Sequence, residues 1–140
     1  MRHKFRWRDP TPEKTINKKE PRKAYNDPTA DKAIANVMKK NKSHIKRVYI
    51  CSPLRGNPEI AITACQKAIR EECLPLAPYL YFPRFLNDSI PQQREISIMF
   101  GVTWLEECDE MWVVGDKVTE VMEREIWHAR NRGIPIRRVS

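Results

Sequence analysis

Two stretches of this chain place chemically able side chains at spacings that could hold an anion or bring a carboxylate to a reacting carbon. The first is Cys51-Ser52-Pro53-Leu54-Arg55-Gly56-Asn57, which follows a short apolar run and leads into a helical pattern. A loop of that kind turns free backbone N–H groups and the positive end of a helix toward the same hollow, and Arg55 can add a bidentate contact to phosphate or carboxylate. The same residues also read as an ordinary strand-to-helix turn with a solvated arginine. A second loop, Gly115-Asp116-Lys117-Val118-Thr119, has the same setting after a stronger apolar run.

The other stretch is Thr119-Glu120-Val121-Met122-Glu123-Arg124-Glu125-Ile126-Trp127-His128-Ala129. With Val118, Met122, Ile126 and Ala129 facing inward, Glu125 falls beside Val121 at the margin of the apolar stripe, where it can border a crevice. An ionised carboxylate there could attack an anomeric carbon or stabilise an oxocarbenium ion. The alternative is a surface glutamate paired with Arg124 or Lys117.

Those residues need a frame, and the hydrophobic pattern supplies one. Val48-Tyr49-Ile50-Cys51 and Asp109-Glu110-Met111-Trp112-Val113-Val114-Gly115 predict strands; Leu74-Pro75-Leu76-Ala77-Pro78 predicts an edge strand, and Ile134-Pro135-Ile136 a last short one. Helices are expected after Asn57-Pro58 with Ile60, Ala61, Ala64, Cys65 and Ala68 inward, after Ser89-Ile90-Pro91-Gln92 with Ile98, Met99, Val102 and Leu105 inward, and from Thr119 to Gly133. Residues 79–88 read as an aromatic loop. Alternating strands and helices predict an α/β three-layer sandwich on a short parallel sheet, with its ligand crevice outside the carboxyl ends of the strands.

Composition bounds the rest. The 140 residues suffice for one core, and the formal charge is +8. Residues 1–47 carry +10 and the remaining 93 carry −2. The front, 1–44, therefore reads as a basic extension with four early prolines and one helix begun by Asp27-Pro28 and striped by Ile34, Val37 and Met38; residues 45–140 read as the domain. No membrane-spanning run and no apolar leader is visible, so a cytoplasmic location without membrane partners is expected. Cys51, Cys65, Cys73 and Cys108 form no C-x-x-C pair and His3, His44 and His128 no H-x-x-x-H pair. Neither G-x-G-x-x-G nor a P-loop occurs. No metal and no cofactor is expected.

Taken in order, V-Y-I-C-S-P-L-R-G, A-P-x-L-Y-F, W-L-E-E-C-D-E-M-W-V-V-G-D and T-E-V-M-E-R-E-I-W-H-A-R-N-R-G-I-P resemble the nucleoside 2-deoxyribosyltransferase-like superfamily over about residues 46–138, most closely a branch frequent in phages and Gram-positive bacteria. The resemblance implies a flavodoxin-like (Rossmann-like) sheet, usually dimeric, that cleaves or exchanges the N-glycosidic bond of deoxynucleosides or their 5′-monophosphates. It implies Glu125 as nucleophile, with Ser52, Arg55 and Gly56 lining the nucleotide site; Asp109 and the loop residues Gly115 and Asp116 are further candidates for substrate binding, and Tyr49 or Tyr79, which no motif assigns, for packing against the substrate. Two positions depart from the family pattern. Gly101 stands where an aspartate is usual, and Val121 where the close branch often has glycine. Another acid must then protonate the leaving base, with Glu95, Asp88 and Asp116 the candidates and Glu95 the first choice.

Three functional classes follow. The first is an N-glycosidase or deoxyribosyltransferase working by double displacement at C1′; the second is a nucleotide binder or sensor without turnover. The third is weak nucleic-acid contact through residues 1–44, where Arg2, Lys4, Arg6 and Arg8 alternate with Phe5 and Trp7. The enzymatic reading requires the Glu125 carboxyl group to open into the same hollow as the amides that follow the first strand.

Overall fold

The computed structural model describes residues 28–40 and 45–139. Expectations for the basic arm, including Asp27 as a cap, lie outside them. The elements in chain order are α1 (Pro28–Lys39), β1 (Arg47–Cys51), α2 (Glu59–Arg70), β2 (Leu74–Leu76), α3 (Pro78–Tyr81), a 3₁₀ turn (Phe82–Arg84), α4 (Pro91–Glu106), β3 (Glu110–Val114), α5 (Glu120–Asn131) and β4 (Ile136–Val139). All four strands are parallel in the order β2-β1-β3-β4. The fold is the expected α/β sandwich of the flavodoxin-like, Rossmann-like kind.

The strict two-residue alternation of β1 and β3 explains the layers. Val48, Ile50, Trp112 and Val114 point to one face, where Ala61, Ala64 and Ala68 of α2 cover them; Tyr49, Cys51, Met111 and Val113 point to the other, under Leu105 of α4 and Met122 and Ala129 of α5. Central strands buried on both faces must be apolar along their buried length, as residues 48–51 and 111–114 are; only the first residues, Arg47 and Glu110, are charged. Three alanines on α2 let that helix approach the sheet closely, and α1 packs outside it.

Several boundaries differ from expectation for identifiable reasons. Small residues mark the α1 contact: Ala30 and Ala33 are buried, whereas Ile34 and Met38 are exposed. Ile60 and Met99 also face solvent, because the inner stripes are Ala61-Ala64-Ala68 and Ser97-Ile98-Gly101-Leu105. The segment read as an aromatic loop forms α3 and the 3₁₀ turn, since Pro78 and Pro83 both sit at first-turn positions. No side chain caps α4; its N-cap is Ile90. Thr119 does cap α5, accepting from the Met122 amide at 3.3 Å. Gly133 ends the turn after α5 with φ +70°, and β4 begins two residues later than the sequence pattern suggests.

The rims of the sheet differ in kind. At one, β2 carries Pro75. At the other, β4 carries Arg137, whose guanidinium lies 4.9 Å from the Trp112 ring centre and pairs with Glu71, and Arg138, which donates to the carbonyls of Gly115 and Asp116.

Candidate functional site

Strand order reverses between β1 and β3, so the loops that leave those two strands bound the expected crevice. A crevice of about 280 Å³ is found there, lined by Leu54 and Arg55 after β1, Arg94 of α4, and Thr119, Glu120 and Val121 at the start of α5. Two guanidinium groups and a helix N-terminus therefore converge on one hollow. Arg55 is engaged by Asp88, donating from Nε at 2.8 Å and to the Asp88 carbonyl at 3.3 Å. Arg94 is different: its Nε is buried and has no hydrogen-bond partner. Burying an N–H of a cation without an acceptor is costly, so this atom stands out among the buried polar groups of the described residues.

Glu125 lies deeper. Its residue is fully buried on the inward face of α5, and both oxygens are held: Tyr49 donates to Oε2 and Tyr79 donates to Oε1, the latter at 2.6 Å. Burial lifts its pKa to about 7, against the opposing pull of the two tyrosine hydroxyls and the Arg124 charge. Burial and the neighbouring carboxylate likewise push the Tyr49 and Tyr79 hydroxyls and the Cys51 thiol upward. Tyr79, one of its two donors, packs with Ile98, Val121 and Leu54 as one apolar cluster, and Leu54 and Val121 border the crevice.

The spatial expectation for Glu125 is thus not met in this arrangement. Leu54 and Val121 line the crevice, and the carboxyl group sits beneath them, sealed. Gly101 and Val121 each have a packing reason in this structure. A Cβ at Gly101 would stand 2.9 Å from the Tyr49 hydroxyl, so the space an aspartate would need is taken by the donor to Glu125. Val121 fills the volume that a glycine would leave open.

The other expected site residues scatter. Ser52 and Gly56 border a separate small cavity of about 40 Å³ with Tyr79. Gly115 and Asp116 border a larger groove of about 490 Å³ on the opposite face, between α2 and the ends of β3 and β4. That groove lacks Arg55, Arg94 and Glu125. Asp109 is corrected outright: it precedes β3, at the amino end of the sheet, where its Oδ2 accepts from the Arg47 amide at 2.8 Å. Glu95 lies outside the crevice lining; it is exposed and paired with Arg124, which holds its pKa below the usual carboxylate range. Asp88 is spent on Arg55.

Arg94 escapes a reading of the sequence because a first-turn arginine on a helix looks solvated. Among the described residues no group of His, Cys, Asp and Glu is arranged to hold a metal ion, and no helix is long and apolar enough to cross a membrane. The family described as a domain of unknown function, DUF7768, matches residues 46–139. The chain belongs to that family. The match begins one residue before β1 and ends with β4, so the DUF7768 unit contains the whole sheet, the crevice and Glu125, and excludes α1. Comparison with the curated proteins and with the solved structures returns no match.

Proposed function

We propose that this protein binds a phosphate-bearing nucleoside ligand in the crevice at the carboxyl end of its sheet, and that in the closed arrangement it does so without turnover. One observation carries the reading: Arg94, whose Nε is buried and unpartnered, borders the same hollow as Arg55 and the N-terminus of α5. A phosphate there would accept from guanidinium and backbone donors together. The nucleoside part rests on the resemblance of residues 46–138, and the sealed carboxyl group of Glu125 argues for binding over catalysis.

The test is calorimetric titration with the four deoxynucleoside 5′-monophosphates and with inorganic phosphate. At least one monophosphate should bind, and Arg94→Ala should weaken it about ten- to a hundredfold, as expected for loss of a charge-assisted contact. Binding that ignores Arg94→Ala, or no binding by any phosphate, ends the proposal.

A second reading, cleavage or exchange of an N-glycosidic bond, is favoured by the way two tyrosine hydroxyls donate to and orient the Glu125 carboxylate. Glu125 would attack C1′ as the base leaves, and water or a second base would release the sugar ester. Release of free base by the parent protein, lost in Glu125→Ala, would establish it; no release from any deoxynucleoside or monophosphate would dismiss it.

A further inference from the structure

The crevice is small for its proposed guest. Ligand sites of drug or nucleotide size occupy roughly 300–1,000 Å³, and this one has about 280 Å³. The 40 Å³ cavity bordered by Ser52, Gly56 and Tyr79 lies just beyond it, and Leu54 lines both. Leu54 is the one residue the two linings share. Leu54 also packs on Tyr79, Ile98 and Val121, the cluster that covers Glu125.

The loop that carries Leu54 is a short unit bounded by two prolines. Pro53 and Pro58 fix the backbone at its two ends. Within it Gly56 has φ +133° with nothing within 4 Å of its Cβ direction, so the chain turns there in open space. The loop is latched by Arg55 to Asp88, a pair whose arginine side chain is 65% exposed and which therefore holds weakly. Asp88 itself belongs to a braced turn, in which the Asn87 amide donates to Gln93 at 2.7 Å and the Ser89 amide donates to Asn87 at 2.9 Å. The carboxylate is the fixed post and the arginine the moving part.

We infer that Leu54 is a gate and the Arg55–Asp88 pair its latch: a bound phosphate draws Arg55 away from Asp88, Leu54 withdraws with it, and the two cavities join into one site that reaches Tyr79. A dianionic phosphate competes well for an exposed guanidinium held by one half-buried carboxylate and the carbonyl of the same residue. The ligand in this account rests on the binding reading, whereas the motion rests on the loop alone.

Hydrogen exchange followed by mass spectrometry reads the motion without any ligand. Asp88→Asn should speed exchange at the Leu54, Arg55, Gly56 and Asn57 amides about fivefold, the factor expected for loss of an exposed ion pair, while β1 is unchanged. Leu54→Ala should act in the same direction. Titration with thymidine 5′-monophosphate should then show tighter binding to Asp88→Asn than to the parent. Unchanged loop exchange in both variants overturns the gate. Faster exchange in both with no binding of thymidine monophosphate or inorganic phosphate upholds the gate and removes the ligand assigned to it.

Discussion

Replacing Glu125 by glutamine is expected to stabilise the protein at pH 8 by about 3 kcal/mol and to leave it nearly unchanged at pH 4.5. The folded pKa of about 7 stands above the ordinary 4.5, so the native state holds this proton more tightly than the unfolded chain. Stability from that proton is complete below about pH 4.5 and is lost as pH rises through about 7, by roughly 1.4 kcal/mol for each unit of difference. Glutamine is nearly isosteric with the protonated acid and carries no charge to desolvate, so its stability has no such fall. For a domain of this size the gain corresponds to roughly 10 °C in Tm. Comparing parent and Glu125→Gln at a series of pH values isolates this group from every other titration in the chain. Curves that run parallel from pH 4.5 to 8 would show that Glu125 titrates normally.

Gly101→Ala carries the second large effect, and its sign is the informative part. In a helix interior this change ordinarily gains about 0.5–1 kcal/mol, because alanine restricts the unfolded backbone. At Gly101 the new methyl would meet the Tyr49 hydroxyl at 2.9 Å, and the ring cannot swing aside because Tyr49 is fully buried. Displacing the hydroxyl strips one of the two donors from a buried carboxyl group, at a cost of about 1–3 kcal/mol. The net expectation is a loss of about 2 kcal/mol by chemical denaturation. In a Tyr49→Phe background the obstructing oxygen is gone and the next neighbour, Pro78, lies at an ordinary 3.7 Å, so the same change should become neutral or favourable. Equal losses in both backgrounds would mean that the clash is not with the hydroxyl.

The contrast between these two residues shows where sequence reasoning works on this chain. β1 and β3 are readable because a central parallel strand has no solvent face, and an unbroken apolar run of that length, bounded by turn residues, suits little else. The start of α5 is readable because Thr119 is a strong local cap. Glu125 is harder. A glutamate at the margin of a helical stripe has an ordinary meaning, a surface ion pair, and what turns it inward is a pair of tyrosines distant in sequence. Tyr49 belongs to the right face of β1 by simple alternation, but Tyr79 arises from a segment whose two prolines build short helical turns that periodicity does not register. Gly101 reads in sequence as a missing carboxylate, and only the fold sets a hydroxyl beside it. Asp109 shows the opposite error: closeness to the strongest strand in sequence suggests closeness to the crevice, yet a residue that precedes a parallel strand must lie at the far end of the sheet. Arg94 and Arg55 border one hollow although they lie far apart in sequence, a juxtaposition no local pattern records.

The two rims of the sheet have a consequence for how the molecule behaves in a crowd. An open parallel sheet ends in rows of unpaired backbone groups that another chain could adopt as a template for polymerisation. Here the β2 rim lacks one donor at Pro75, while the β4 rim projects Arg137 to one side and Arg138 to the other, so an approaching strand meets either a gap in the ladder or a fixed positive charge. Both margins are poor nuclei for fibril growth, and substitutions that neutralise the arginine pair would put colloidal behaviour at risk well before they disturbed the interior.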